Sequence, residues 1–360
     1  MEQLTVELGE RSYQIMIGFA DLDQLGVYLQ PLNLADRICL ITNTTVGKLY
    51  GGRVRSVLTD SGFTVSYYEA PDGEEYKTLQ SAAAIFDRLV DAGMERGSAV
   101  VALGGGVVGD LVGFASATYM RGVPLIQAPT TLLAQVDSSV GGKVAVNHPR
   151  GKNLIGCFYQ PRLVFADLQT LKTLPEREIR AGMAEVIKYG VIWDWTFFAF
   201  LEQRLDRILG LEPEALMETV KRSCAIKAEV VSRDEREQGL RLLLNFGHTI
   251  GHALESLTDY QVYRHGEAIA AGMAVAATLA VGRGMQEADR ERLVALLRRT
   301  GLPVSFPYPA RDLLELMSHD KKVFGGRLRF VLPLKIGEAE ICSDLEDREI
   351  MAALSACSRQ

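Results

Sequence analysis

The chain has 360 residues, 48% hydrophobic and 23% charged, with a formal net charge of −6. This length accommodates two domains at about 150 residues each, and the apolar fraction excludes disordered and fibrous classes. The acidic balance argues against nucleic acid or an anionic membrane as partner, because each needs a basic footprint.

The opening MEQLTVELGERSYQI lacks a basic start followed by an apolar run, so no secretion signal is expected. Residues 37–42 (RICLIT) and 64–68 (TVSYY) read as strands. Residues 81–92 (SAAAIFDRLVDA) have helical spacing, with Ile85, Leu89 and Val90 on one side. Further strands are predicted at 98–103 (SAVVAL), which runs into glycines, at 124–128 (PLIQA) and at 163–167 (LVFAD). Strands alternating with helices predict βαβ units and a mostly parallel sheet. After Leu174 and Pro175 the pattern becomes helical, over 176–189, 195–205, 214–233, 246–258, 267–282 and 287–299. In 214–233, Met217, Val220, Cys224, Ala228 and Val231 share one face, and Pro213 suits a first helical position. Residues 268–281 are apolar but short and rich in Ala and Gly, so a buried helix is expected rather than a membrane span. The expected division is therefore 1–175 and 176–360. The cysteines (Cys39, Cys157, Cys224, Cys342, Cys357) are scattered and form no Cys-x-x-Cys pair, which fits a reducing cytoplasm.

Gly104, Gly106 and Gly109 form G-x-G-x-x-G after a strand. Such glycines let backbone approach a pyrophosphate at a helix amino terminus. The usual dinucleotide fingerprint opens the first βαβ unit and has an acidic residue about 20 positions later. Here the motif lies deeper, and that window holds Pro124, Gln127 and Thr130, so a plain glycine turn competes with the nucleotide reading. Asp110, Thr130, Thr131 and the acidic turn Asp72, Gly73, Glu74 offer alternative nucleotide contacts. His248 and His252 are four apart, on one helical face, and His265 follows at the start of another helix. The spacing resembles a zincin H-E-x-x-H, but Thr249 stands where that motif keeps its general base. Glu185 could add a carboxylate, and two His plus one Glu make a catalytic zinc set with an open position. Three buried, hydrogen-bonded histidines are the bland alternative. Lys143, Lys152 with Asn153, Lys188, Lys227, Arg241 with Asn245, and Asp320, Lys321, Lys322 lie near glycine turns or the histidines. They would suit a small polyanion, or be ordinary solvated cations. Asp137 among small residues could hold a hydroxyl or cap a helix. His148 and His319 read as surface or structural.

Taken in order, DGEEYK (72–77), GGGVVGD (104–110), YMRG (119–122), PTTLLAQVDSSVGGK (129–143), GKNLIG (151–156), AEVIKYG (184–190), DEREQGLRLLLNFGHTIGHALE (234–255), HGEA (265–268) and DKK (320–322) closely resemble the 3-dehydroquinate synthases. The resemblance implies an α/β amino-terminal Rossmann-like NAD domain, an all-helical carboxy-terminal metal domain, an active site in the cleft between them, and a homodimer. The implied reaction converts 3-deoxy-D-arabino-heptulosonate 7-phosphate to 3-dehydroquinate and phosphate. It proceeds by alcohol oxidation, phosphate β-elimination, ketone reduction, ring opening and aldol closure, so NAD is recycled. Carried over by motif, Glu185, His248 and His265 would bind Zn2+ or Co2+. NAD would contact Asp72, Gly73, Glu74, Glu75, Tyr76 and Lys77, then Gly105, Gly106, Val107, Val108, Gly109 and Asp110. Thr130, Thr131, Lys143, Lys152, Thr170, Leu171, Lys172 and Thr173 would complete its site. Substrate would meet Asp137, Lys143, Asn153, Lys188, Lys227, Glu237, Arg241, Asn245, His252 and either Lys321 or Lys322, with Arg121 reaching the phosphate in the neighbouring subunit. His252 would orient substrate or shuttle a proton rather than bind metal. Rival readings are another sugar-phosphate cyclase (2-deoxy-scyllo-inosose or valiolone type), a metal-dependent alcohol or glycerol dehydrogenase, and a non-catalytic nucleotide-binding protein. The Arg241–Asn245 pair suits a substrate carboxylate, which the rival cyclases' sugars lack. The dehydrogenase would be expected to use Asp rather than Glu as third ligand.

Overall fold

Runs of aliphatic residues that end in glycine, proline or polar residues become the strands of the first half. The computed structural model describes residues 1–323 and 328–359, with backbone alone over 318–323. In chain order the strands are β1 (Glu2–Val6), β2 (Tyr13–Gly18), β3 (Arg37–Asn43), β4 (Thr64–Ala70), β5 (Ala99–Gly104), β6 (Leu125–Pro129), β7 (Lys143–His148), β8 (Gly151–Phe158) and β9 (Leu163–Asp167). Seven of them form one sheet in the order β1-β2-β9-β6-β5-β3-β4. All its pairings are parallel except β1 with β2. β5 shows why its sequence is apolar throughout. Val100 and Ala102 pack with Ile85, Leu89, Val108 and Val112 on one face. Ala99, Val101 and Leu103 pack with Leu25, Leu29, Val54 and Leu58 on the other. A strand covered on both faces loses the hydrophobic–polar alternation of a half-exposed one.

Two strand pairs of this half fall outside the expected elements. β1 and β2 pair antiparallel at the sheet edge, and β2 runs parallel to β9. β7 and β8 form a separate antiparallel hairpin over residues that read as glycine turns carrying cations.

By contacts the chain divides into Met1–Leu174 with Leu216–Glu235, and Pro175–Ala215 with Arg236–Gln360. The expected division put 216–235 in the second part. Its tertiary bonds explain the difference. Within helix Pro213–Arg233, Lys221 pairs with Glu2 at 2.6 Å, Cys224 Sγ donates to Gln135 O at 3.2 Å, and Ser232 Oγ accepts from Glu7 N at 3.0 Å. Helical periodicity marks a buried face but does not say which element covers it.

The second unit contains helices Glu176–Ile192, Trp195–Leu209, His248–Leu257, His265–Val281, Glu287–Arg299, Ala310–Val323 and Asp347–Cys357. It is helical but not all-helical: β10 (Phe330–Lys335) and β11 (Glu338–Cys342) form a hairpin. Phe330, Val331 and Leu332 are buried there, and Gly337 takes the left-handed conformation at the turn, φ +93°. Helix His265–Val281 is apolar on nearly every side because it is buried nearly all round. Among the described residues, no helix is long and apolar enough to cross a membrane.

Candidate active site

In the first unit, the polar residues follow the carboxyl ends of parallel strands, where α/β sheets bind ligands. β3 ends at Asn43, β5 at Gly104 and β6 at Pro129. Helix Gly106–Thr118 starts directly after β5, with Gly105 as its amino cap and no side-chain oxygen capping it. Its first N–H groups suit an anion. A Cβ on Gly105 would stand 3.0 Å from Thr131 Cγ2, and one on Gly106 3.0 Å from Ser138 Oγ, so side chains there would crowd this approach. Thr130 N donates to Gly104 O at 2.9 Å, joining the two strand ends.

The segment 72–77 is held by other parts of the unit. Asp72 accepts from Asn43 Nδ2 and Thr45 Oγ1, both at 2.6 Å. Glu74 Oε1 accepts from Asn147 Nδ2 at 2.8 Å. Lys77, 4% exposed, donates to Asp110 Oδ2 at 2.5 Å and Asn153 Oδ1 at 2.6 Å. Burial raises the Asp110 carboxyl pKa, and the ammonium of Lys77 works against that shift. Asn153 has φ +56°, and its N–H donates to Asn147 Oδ1 at 2.9 Å. Lys227, nearly buried, donates to Asp137 Oδ1 at 2.8 Å and to Asp137 O at 2.7 Å.

The turn Leu168–Thr173 carries Thr170, Leu171, Lys172 and Thr173. Tyr50 Oη hydrogen-bonds Thr173 Oγ1 at 2.6 Å, and Tyr50, Arg53, Thr170, Lys172 and Thr173 line part of a cavity of about 140 Å³. Gly73, Val107, Gly109 and Lys152 are partly exposed and Val108 is buried, whereas Glu75, Tyr76, Lys143 and Arg121 are exposed. Arg121 has φ +66°.

In the second unit, three helices bring Glu185, His248 and His265 together. One donor atom from each lies within 4.8 Å of the others. Glu185 Oε1 is 3.5 Å from His248 Nε2 and 3.6 Å from His265 Nε2. Glycines allow this closeness. A Cβ on Gly266 would meet Ala181 O at 1.9 Å, and one on Gly272 would meet Gly247 O at 2.1 Å. Glu185 is buried and pairs with the buried Lys188, one helical turn on.

The two histidines differ. Burial pushes His248 down to about 3, because a charged ring is poorly solvated there. Its Nδ1 lies 3.1 Å from Phe246 O, which favours the tautomer with the proton on Nδ1 and the lone pair on Nε2. Burial also opposes charge on His265, but hydrogen bonds to Glu185 and Glu255 outweigh it and raise the pKa to about 10. A carboxylate and two imidazoles converging on one point match the donor chemistry of a catalytic zinc or cobalt site.

His252 joins the cluster, its ring centroid 5.4 Å from that of His248 and 5.9 Å from that of His265. It is not part of the donor group that contains Glu185. Arg241 is 2% exposed on the turn Leu240–Asn245. Asn245 Nδ2 donates to Glu237 Oε1 at 2.9 Å, and Glu237 has φ +58°. Left-handed φ outside glycine carries strain that functional sites often retain, and Arg121, Asn153 and Glu237 all show it. Asp320, Lys321 and Lys322 fall on the last turns of helix Ala310–Val323, and their side chains lie outside the described residues.

Sequence reasoning missed Asn43, Thr45, Asn147 and Glu255 as site residues. Only Glu255 left a signal: it is seven residues after His248 and three after His252, on their face of the helix.

Comparison with known proteins finds relatives along the whole chain. The family model described as 3-dehydroquinate synthase N-terminal matches residues 67–181, and that described as 3-dehydroquinate synthase C-terminal matches 182–323. The chain is 53% identical over 358 residues to the 3-dehydroquinate synthase of Desulforamulus reducens, covering 99% of this chain and 100% of that protein. It is 55% identical over 359 residues to that of Pelotomaculum thermopropionicum, covering 99% and 97%. Among solved structures, 2-epi-5-epi-valiolone synthase from Streptomyces hygroscopicus, with NAD+ and Zn2+ bound, is similar at a TM-score of 0.90 and 29% identity, covering 98% of each chain.

Proposed function

The chain belongs to the 3-dehydroquinate synthase family, and from that premise we propose how its residues carry the reaction. It is an enzyme of the shikimate pathway that converts 3-deoxy-D-arabino-heptulosonate 7-phosphate to 3-dehydroquinate and phosphate. The observation that carries the reading is the convergence of Glu185, His248 and His265 in a chain so similar to these synthases.

When bound, NAD+ accepts and returns a hydride, and a divalent cation, zinc or cobalt, supplies Lewis acidity toward a substrate oxygen. Glu185, His248 and His265 would hold the cation. We assign NAD binding to the first unit. The helix amino terminus at Gly105 and Gly106 suits its phosphates. Asp72, aimed by Asn43 and Thr45, suits ribose hydroxyls. The fixed Lys77–Asp110–Asn153 cluster and the turn carrying Thr170 and Thr173 complete the assignment.

For the substrate, Arg241 and Asn245 are assigned to the carboxylate, and Lys143, Lys188, Lys227 and Arg121 to the phosphate and hydroxyls. Cations held in fixed geometry keep one productive conformer of a flexible anion and so lower the entropic part of the barrier. Asp137, anchored by Lys227, accepts from a hydroxyl. His252 orients substrate or passes a proton. His252→Ala should lower turnover while one metal ion per chain remains; loss of the ion would contradict this role.

The reading includes a homodimer in which Arg121 serves the neighbouring subunit. Its support is that Arg121 is exposed beside Met120, itself 44% exposed. It also places the enzyme in the cytoplasm, consistent with five cysteines that form no disulfide.

One rival is a cyclase of the 2-deoxy-scyllo-inosose type, acting on a sugar phosphate without a carboxylate; such a synthase, solved with carbaglucose-6-phosphate, is similar at a TM-score of 0.88 and 29% identity. Turnover of the heptulosonate phosphate but not of glucose 6-phosphate supports the assignment. Arg241→Met should then lower kcat/KM by about 10- to 100-fold, the range for losing a charged hydrogen bond. Preference for glucose 6-phosphate would favour the rival.

A further inference from the structure

His265 is the first residue of helix His265–Val281, and its ring lies between two carboxylates. Nε2 is 3.6 Å from Glu185 Oε1, and Nδ1 is 3.4 Å from Glu255 Oε2. A neutral imidazole has one N–H and one lone pair. If Nε2 uses its lone pair on a cation, the proton must sit on Nδ1, where Glu255 is the acceptor. Glu255 is 4% exposed, so water competes little for that bond. Its backbone contributes as well. Thr258 N and Tyr260 N donate to Glu255 O at 3.3 and 2.8 Å, fixing the turn that leads back toward His265. Beside the other histidine, His248, the group in the equivalent place is a carbonyl, Phe246 O, at 3.1 Å from Nδ1.

We propose that Glu255 is a positioning residue of the metal centre: it holds the tautomer and orientation of His265 and makes that ring the stronger imidazole donor. The proposal rests on the metal reading of Glu185, His248 and His265 above. A carboxylate behind a ligating histidine fixes the ring and raises its basicity, and losing such a partner typically weakens metal binding by about 10- to 100-fold. Glu255 also belongs to a second group of possible donors, with His252 and His265. A second ion there would share the His265 ring with the first, so one imidazole would have to bind two cations with no N–H left. The positioning role needs no such sharing.

Cobalt titration of the full-length, chelator-stripped protein tests this. The wild type, Glu255→Gln and Glu255→Ala are compared by visible absorption of bound Co2+ and by competition with a chelator. One equivalent per chain is expected in each. Glu255→Ala should bind about 10- to 100-fold more weakly. Glu255→Gln should fall between, because its amide oxygen still accepts from Nδ1 but carries no charge. The rise in thermal midpoint on adding cobalt should be smaller in Glu255→Gln than in the wild type. Equal affinities would overturn the proposal. So would two equivalents in the wild type falling to one in Glu255→Gln, which would make Glu255 a ligand. A cobalt-induced rise in midpoint equal to that of the wild type, with only metal-free stability lowered, would reduce the role to folding and overturn it too. Failure of the wild type itself to bind cobalt would instead refute the metal reading, before any variant is compared.

Discussion

The two units differ in how their polar residues are gathered. In the first, charges are answered by the chain itself: Lys77 by Asp110, Lys227 by Asp137, and Asp72 by Asn43 and Thr45. These pairs hold their side chains in fixed positions. In the second, donor atoms of Glu185, His248 and His265 lie within 4.8 Å of one another, with Lys188 beside Glu185 and Glu255 beside His265, a set whose donor chemistry suits a cation. Pairing within the chain fixes polar groups in both units; what differs is that in the second three metal-type donors converge.

The largest effect should separate the units by what is lost. His248→Ala or Glu185→Gln should abolish stoichiometric metal and lower kcat by about 1,000-fold or more, given the several kcal/mol that a Lewis acid contributes. Metal analysis with steady-state kinetics checks this; full metal content in both variants would break the comparison. Lys77→Met should instead act on stability. It leaves Asp110 largely enclosed without its cation, at a cost of about 3 kcal/mol. The urea midpoint measures the loss, and Lys77→Met with Asp110→Asn should recover part of it.

Gly266→Ala is expected to be milder for the fold and specific for the second unit. Its Cβ would collide with Ala181 O, and overpacking of this kind costs about 1–3 kcal/mol. The displaced His265 should also weaken metal binding, which a chelator competition would read.

The smallest effect is pH-dependent. Burial raises the Glu267 carboxyl pKa, but hydrogen bonds from Arg177 and the Arg264 backbone outweigh it, so the folded value is depressed. Its contribution is therefore present above the unfolded value and lost as pH falls through the folded one. The Arg177 guanidinium pairs with it at 2.6 Å and is more than half exposed, so about 0.5 kcal/mol is expected. Arg177→Met should narrow the stability difference between pH 6 and pH 3; an unchanged difference would show that the pair is inert.

Much of this was legible in the sequence, and the unread parts share a cause. The parallel strands announced themselves as short apolar runs, and the histidine pair by its spacing of four. Local pattern carries both. β1 with β2, β7 with β8 and β10 with β11 were not read, because edge strands and small hairpins are specified by pairing as much as by periodicity. Helix Pro213–Arg233 was found, but its grouping with the first unit depends on bonds such as Cys224 to Gln135, between residues far apart in the chain. The same holds for Asn43 and Thr45 behind Asp72: nothing near either marks the other. The metal set was legible as residue types, Glu185 already among them as a possible carboxylate, but nothing local in the sequence showed that the three side chains converge.

The central claim is that the chain is a cyclase that recycles its NAD. The most direct test incubates the metal-loaded enzyme with the heptulosonate phosphate and substoichiometric NAD+, following phosphate release and absorbance at the NADH band together. The account predicts many phosphates released per NAD with no build-up of NADH. Steady accumulation of NADH without phosphate would contradict it and mark a dehydrogenase.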